Sequence, residues 1–323
     1  MKHYLGTVFV ASLIATLAPT MANATDLGNV NLNGFLDMVW TVSDSTDEGI
    51  NGTDGHFDTT GEIDIASKLK GPISMRLDAN LNSAGGSDSG RLEQAFLNWD
   101  IQNNLALKAG VFNNSLSWEK EDAPDMYQIT HGQLYNIWDI STSLDGNNLA
   151  GAELSYTADI FKLSLAYLND LGDVADENSV KIAGEFHAMP NLNIVVGYIT
   201  QKTNLEDIID INVTWNMDNK LTLGFEAMMP DQLVDNAYMI IANYKFTNEF
   251  SGTARYDVVS YDVSGSDNTT SLTIAGLYTI DPNLFANAEI RVNSDNNVPT
   301  VSSLVGIGEG DGNTVHLELI ATF

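Results

Sequence analysis

The chain has 323 residues, no cysteine and a formal net charge of −29. So acidic a balance excludes nucleic acid as a partner, because phosphate contacts need a basic face, and without thiols there is no disulfide framework. Apolar residues make up an ordinary 44%, and beyond the N-terminal segment nothing approaches the roughly eighteen continuous apolar residues of a helical membrane span.

Residues 1–24 read as a cleavable export signal. Lys2 gives the positive start, Leu5 to Ala18 the apolar core, and Ala22-Asn23-Ala24 the small-x-small cleavage rule, so the mature chain is expected to begin at Thr25. The apolar core is short for a spanning anchor. Its removal takes away one lysine and no acid, leaving 13 basic and 43 acidic residues. Residues 25–323 read as one domain.

From there the hydrophobic pattern has period two, in units of about ten residues, which marks half-greasy β-strands. The first covers 30–42, with Leu32, Leu36, Met38 and Trp40 on one face and Asn31, Asn33 and Asp37 on the other. A polar loop is expected at 43–60, a strand at 61–69 and a turn at Lys70-Gly71-Pro72. In the third strand Ile73, Met75, Leu77 and Ala79 alternate with Ser74, Arg76, Asp78 and Asn80, the cleanest alternation in the chain. After a Ser/Gly-rich loop at 82–90, strands are expected at 91–101 and 105–112, and then a long insertion at 113–146. Further strands fall at 147–157, 161–169, 179–188, 192–200, 207–217, 220–228, 235–246, 250–259, 270–280, 284–293 and 313–323. Sixteen strands joined alternately by tight turns and longer loops describe an all-β transmembrane antiparallel barrel; merging a weak pair would give fourteen.

The last strand shows why lipid, rather than a second sheet, is expected against the greasy face. Val315, Leu317, Leu319, Ala321 and Phe323 fall on one side and Thr314, His316, Glu318 and Thr322 on the other, with Ile320 the one apolar intruder. Its length is that of a tilted bilayer-crossing strand. Most lysines and arginines fall in the inward phase: Lys68, Arg76, Lys108, Lys162, Lys181, Lys245, Arg255 and Arg291. Arg91 alone is expected to face outward, at a strand end. A packed sandwich core could not solvate these rows, whereas a wide barrel can. Trp40, Trp99, Tyr156, Phe161, Phe246, Phe250, Tyr278 and Phe323 lie near strand ends, as aromatic girdles do.

The insertion at 113–146 is too long for a passive connection. It carries acids and aromatics together, and Trp118, Glu119, Glu121, Asp122, Asp125, Tyr127, Trp138 and Asp139 are its candidate site residues. The facing wall is expected to offer Asp37, Arg76, Asp78, Lys108, Lys181, Glu185, Arg255, Asp257, Glu289 and Arg291. Charges of opposite sign across a narrow gap set up a transverse field that favours hydrated ions and small polar solutes. The acidic excess points to a mild cation preference. The alternative is that the insertion only caps the outer mouth.

Two motifs carry a resemblance. Gly110 to Glu119 reads Gly-x-Phe-x-x-Ser-x-x-x-Glu ahead of the acidic, aromatic segment, and Val30-Asn31-Leu32-Asn33-Gly34 is followed by Asp37. Both resemble the Gram-negative outer-membrane β-barrel porins, specifically the OmpL-like porin group. The resemblance implies a water-filled channel for passive diffusion, located in the outer membrane, with the long third loop folded into the lumen as a constriction. It also implies contact with outer-membrane lipid and lipopolysaccharide, a homotrimer, and recognition of the C-terminal strand and its final Phe by the barrel assembly machinery.

Other function classes have less support. Of the histidines after residue 24, His56 and His131 read as loop residues and His187 and His316 as inward-facing, so no lipid-facing hydrolase site is expected and the chain is not read as an enzyme. A non-conducting scaffold or surface receptor, with the insertion as a plug, is the alternative function. No cofactor and no built metal site are expected. Divalent cations held weakly by the acidic outer loops are the one exception, bridging carboxylates to lipopolysaccharide phosphates.

Overall fold

The computed structural model describes residues 30–45, 55–69, 71–84, 87–141, 147–169, 178–200, 207–231, 233–262, 264–294 and 312–323. The expected leader and Thr25 start lie outside the described residues. Sixteen strands follow in order: β1 (Val30–Ser45), β2 (Gly55–Lys68), β3 (Ile73–Ala84), β4 (Ser87–Gln102), β5 (Leu105–Asn113), β6 (Asn148–Thr157), β7 (Phe161–Asn169), β8 (Asn178–Met189), β9 (Leu192–Ile199), β10 (Ile208–Asn216), β11 (Leu221–Met229), β12 (Val234–Lys245), β13 (Phe250–Tyr261), β14 (Thr269–Asp281), β15 (Leu284–Ser294) and β16 (Gly312–Thr322). Between β5 and β6 lie a single 3-10 turn, Ala123–Asp125, and a helix α1, Gln133–Ser141.

Each strand pairs antiparallel with its neighbours in sequence, and β1 pairs with β16, so the sheet closes into a barrel. Closure leaves no unpaired strand edge, the condition for a sheet to cross a bilayer. At the seam, the Phe323 amide donates to Gly34 O at 3.0 Å and the Gly34 amide to Phe323 O at 3.3 Å. The Phe323 ring lies over Gly34, in space that a Cβ there would fill.

The two faces separate as the alternation requires. In β7, Leu163, Leu165 and Tyr167 are exposed while Ser164, Ala166 and Leu168 between them are buried. Ile240, Ile274, Ile290 and Leu317 continue the outer row, and Trp99, Tyr156, Phe246, Phe250 and Tyr278 stand exposed beside the tight turns. The inner row carries the buried charges, including Lys181, Arg255, Arg291, Asp78, Asp210 and Glu226.

Three expectations need correction. β2 begins at Gly55, not after residue 60, so His56 is a strand residue paired with Thr41 rather than a loop residue. β4 begins at Ser87, inside the stretch expected to be loop. The first extension has Phe57 as its one apolar residue and the second is polar throughout, so period two does not reveal them. Third, Arg91 does not face outward. The β3–β4 register shifts between Asp78 and Ala79, which pair with Gln94 and Leu92. The residue between, Glu93, is a bulge that reverses the phase of everything before it. Arg91 therefore pairs with inward-facing Asn80, and Leu92 takes the exposed side.

Candidate functional site

The segment between β5 and β6 is anchored to the inward-facing side chains of the barrel. Its polar anchor is Arg255 on β13. The guanidinium donates to Glu119 Oε1 at 2.6 Å, to Asp257 Oδ2 at 3.0 Å and to the backbone oxygen of Thr130 at 2.7 Å. His131 O accepts from both Arg255 and Arg291, each at 3.2 Å. Glu289 on β15 accepts the Ile129 amide at 2.7 Å, and Thr253 on β13 donates to Tyr127 O. Glu226 on β11 accepts the Trp118 amide at 3.0 Å and the Trp138 indole at 3.2 Å. Lys181 on β8 bridges Glu153 at 2.8 Å and Ser115 at 3.1 Å.

An apolar contact reinforces these bonds. In α1, Leu134, Ile137 and Trp138 sit at helical i, i+3 and i+4 spacing and are all fully or nearly fully buried. With Leu116 they join a cluster that includes Leu168, Val195, Ile199, Met228, Met239 and Ile241, all on the inner row of β7 to β12. Gly197 and Gly224 make room for this contact. A Cβ on the first would collide with Leu116, and one on the second with the Trp118 ring. The inner row of β7 to β12 is thus partly greasy, which the alternation of polar and apolar residues had not shown.

The inner wall also carries charged groups. Arg76 on β3 holds Asp78 through Nε, at 2.8 and 2.7 Å to its two oxygens, and reaches Asp64 at 3.6 Å. Lys108 stands 5.2 Å from the centres of the Phe96 and Phe112 rings. Glu185 accepts from Asn193 at 3.1 Å. Asp37 on β1 and Glu318 on β16 share the inner face.

The candidate loop residues separate into two groups. Glu119 meets the basic wall as the sequence suggests. Burial alone would raise its carboxyl, but the Arg255 guanidinium, helped by His131 and the Gly132 amide, holds it down to about 2. Glu121 and Asp122 instead point to an acidic wall. Burial and then the nearby Glu93 push Glu121 up to about 11 and Asp122 to about 7, although Arg91 comes within 3.9 Å of Glu121. On the β13 side an acid of the segment faces a base, Glu119 against Arg255, whereas on the β2–β4 side Glu121 and Asp122 lie beside Glu93. Asp125 is exposed, and Asp139 accepts the Asn147 amide at 3.2 Å. Tyr127 packs on Trp118 with ring centres 5.8 Å apart. Glu62, Glu93 and Glu226 matter more in this arrangement than the sequence reading allowed. Glu93 was hidden by the unmarked bulge.

The four described histidines are in polar or stacking contacts. His131 stacks on Tyr135 at 3.7 Å, His316 lies 2.9 Å from Thr41 and 3.0 Å from Thr314, and His56 and His187 lie beside Asp58 and Glu185.

A closed, even-stranded antiparallel barrel, greasy outside and charged inside, with a long segment bonded to its inner row, defines the porin class of outer-membrane channels. The chain belongs to the OmpL-like family of β-barrel porins (beta-barrel porin-2), whose profile matches residues 50–323. Among solved structures it is similar to a triple mutant of Rhodopseudomonas blastica porin, with a TM-score of 0.60 and 13% identity over 91% of this chain and 100% of that chain. Two further mutants of the same porin give 0.62 at 13% and 0.60 at 14% identity, with the same coverage. At such identity these comparisons show the fold. No curated protein matches the sequence. Family and fold both point to a channel rather than an enzyme.

Proposed function

We propose that the barrel is a water-filled pathway for passive diffusion of small hydrophilic solutes and ions, narrowed by the segment between β5 and β6. The observation that carries this is the ring of bonds from that segment to Arg255, Glu226 and Glu289, which face the barrel interior from three separate strands. On the tight-turn side, cavities remain. One of about 900 Å³ is lined by Lys220, Lys245, Ser251, Asn287 and Pro124, among others. Another of about 340 Å³ is bordered by Ser117, Lys162, Glu185 and Asn193. The acids crowded on β2 to β4 support a mild preference for cations.

Purified protein in planar bilayers is expected to give stepwise conductance. Deleting residues 116–140 should enlarge the step, and a reversal potential in a salt gradient should be shifted toward cations. Unchanged conductance after the deletion would remove the segment from the pathway. A second reading has an observation of its own: the apolar cluster of α1 with β7 to β12 resembles a plug, as a receptor or scaffold barrel would have. Absence of any step in refolded protein would favour it.

The same reading includes an outer-membrane site of residence, in contact with lipid and lipopolysaccharide, and delivery by the assembly machinery through β16. It also includes a homotrimer. Support for the trimer is a shallow outer groove over Ala242, Gly252, Ala254, Gly276 and Ala288, where small residues would let a second barrel approach. Mass measurement of the detergent-solubilised protein tests it.

A further inference from the structure

The densest group of like charge on the inner face lies where β2, β3 and β4 meet the segment after β5. Carboxylate oxygens of Glu62, Glu93 and Asp122 all lie within 4.8 Å of one another, and so do those of Glu62, Asp64 and Asp78. The second group has a base in it: Arg76 binds Asp78 and Asp64, and Gln94 donates to Asp78 at 2.6 Å. Near the first group, Arg76 pairs with Asp64 and Asp78, and Arg91 comes within 3.9 Å of Glu121.

Burial separates this group from an ordinary acidic surface. Glu62 is 2% exposed and Glu93 3%. Glu62 Oε1, Glu93 Oε1 and Asp122 Oδ1 are enclosed by protein and, among the described residues, receive no hydrogen bond. Asn80 adds a separate observation. It carries no charge and is buried. Its amide nitrogen is fixed on Glu93 Oε2 at 3.1 Å, yet its carbonyl oxygen is also enclosed without a donor. A buried carbonyl oxygen left without a donor is costly, and a buried carboxylate more so. A cation among the three carboxylates would satisfy their oxygens at once, and the Asn80 amide stands beside them through its bond to Glu93.

We infer that Glu62, Glu93 and Asp122, with Asn80 Oδ1 as a fourth oxygen, form a divalent-cation site of the calcium class that ties the segment after β5 to β2 and β4. The donors are all oxygen, which selects hard cations over zinc or copper. Calcium–oxygen distances of about 2.3–2.6 Å put opposite ligands nearly 5 Å apart, in keeping with the spacing here. Calcium also accepts the irregular arrangement that two strands and a loop provide, where magnesium demands an octahedron. The bulge in β4 is what makes the site: it turns Glu93 inward beside Gln94, where an unbroken strand would send one of them to lipid. Asp122 immediately precedes the 3-10 turn. The cation therefore clamps the segment at one point, and Arg255 clamps it at another. The inference goes beyond the channel reading and does not depend on conduction.

The test uses the full mature chain, refolded in detergent, stripped with EDTA and titrated with calcium chloride by calorimetry. Terbium luminescence sensitised by the aromatic residues gives a second readout. One saturable site per chain is expected, apart from weaker binding on the acidic outer loops. Glu93→Gln and Asp122→Asn should each weaken it at least tenfold and leave the weaker binding unchanged. Asp122 lies outside the strands, so its variant keeps the barrel, and heat-modifiable gel mobility checks the Glu93 variant. Absence of a saturable site, or affinity within twofold of the parent in both variants, overturns the inference. A protein that binds calcium but never conducts would sink the channel reading and leave this site standing.

Discussion

Arg255 carries more of the loop's charge balance than any other single side chain. It is buried, and Glu119 and Asp257, its partners, are buried with it. Removing one member of such a group leaves uncompensated charge behind, at a cost of about 3–5 kcal/mol. Arg255→Met should therefore loosen the segment and not merely delete a contact. Lys120 is exposed on that segment, so tryptic cleavage there should run at least tenfold faster in the variant, and an unchanged rate would refute the anchor. The pH dependence has a definite sign. Glu119 titrates near 2 in the folded protein against an ordinary 4.5. Its depressed value adds stability that is complete above about pH 4.5 and is lost as pH falls through about 2, on the order of 3 kcal/mol. With respect to this anchor, open-channel noise should be the same at pH 7 and pH 5 and should rise only below about pH 3. Glu119→Gln should show the noisy state already at pH 7. In Asp122→Asn, which removes the titration nearest pH 7 on this segment, loosening already at pH 4.5 would contradict this assignment.

At the scale of elements, α1 and the inner row of β7 to β12 form one packing unit. Trp138 and Ile137 are fully buried, so Trp138→Ala should cost about 3–5 kcal/mol of docking. Gly224→Leu drives a side chain into the Trp118 ring and should cost about 1–3 kcal/mol by overpacking. Both should raise conductance while the barrel still shows its heat-modifiable mobility; a loss of mobility shift would mean the barrel itself had failed. These elements also show what the sequence could reveal. β3 was legible from Ile73 to Leu81 because lipid and lumen impose opposite chemistry on neighbouring residues. The start of β2 at Gly55 was not, because His56 to Thr60 carry no such contrast on most positions. Glu93 was illegible for another reason: a bulge adds one residue without any composition signal. Leu168, Ile199, Met239 and Ile241 are buried apolar residues on the inner row. They are greasy because Leu116, Ile137 and Trp138 come from elsewhere in the chain to cover them, a long-range pairing that period two cannot express.

The whole molecule inverts the usual soluble arrangement, with its ionised groups enclosed and its large apolar side chains on the outside. That inversion is stable only if hydrocarbon surrounds the middle of the barrel and water its rims. Strand β14 tests this along its own length. Ile274 and Ile280 are equally exposed, at 51%. Ile274 is near the centre of Thr269–Asp281 and pairs with Ile290, while Ile280 lies one residue from the turn. In water the two positions would tolerate arginine alike. In a bilayer an arginine at mid-depth costs about 2–4 kcal/mol, falling to about 0–1 kcal/mol near the interface. Ile274→Arg should therefore lower the denaturant midpoint for refolding into lipid vesicles well below that of Ile280→Arg. Equal losses in lipid would mean that the outer row is not in hydrocarbon, and the assignment of inside and outside would fail with it.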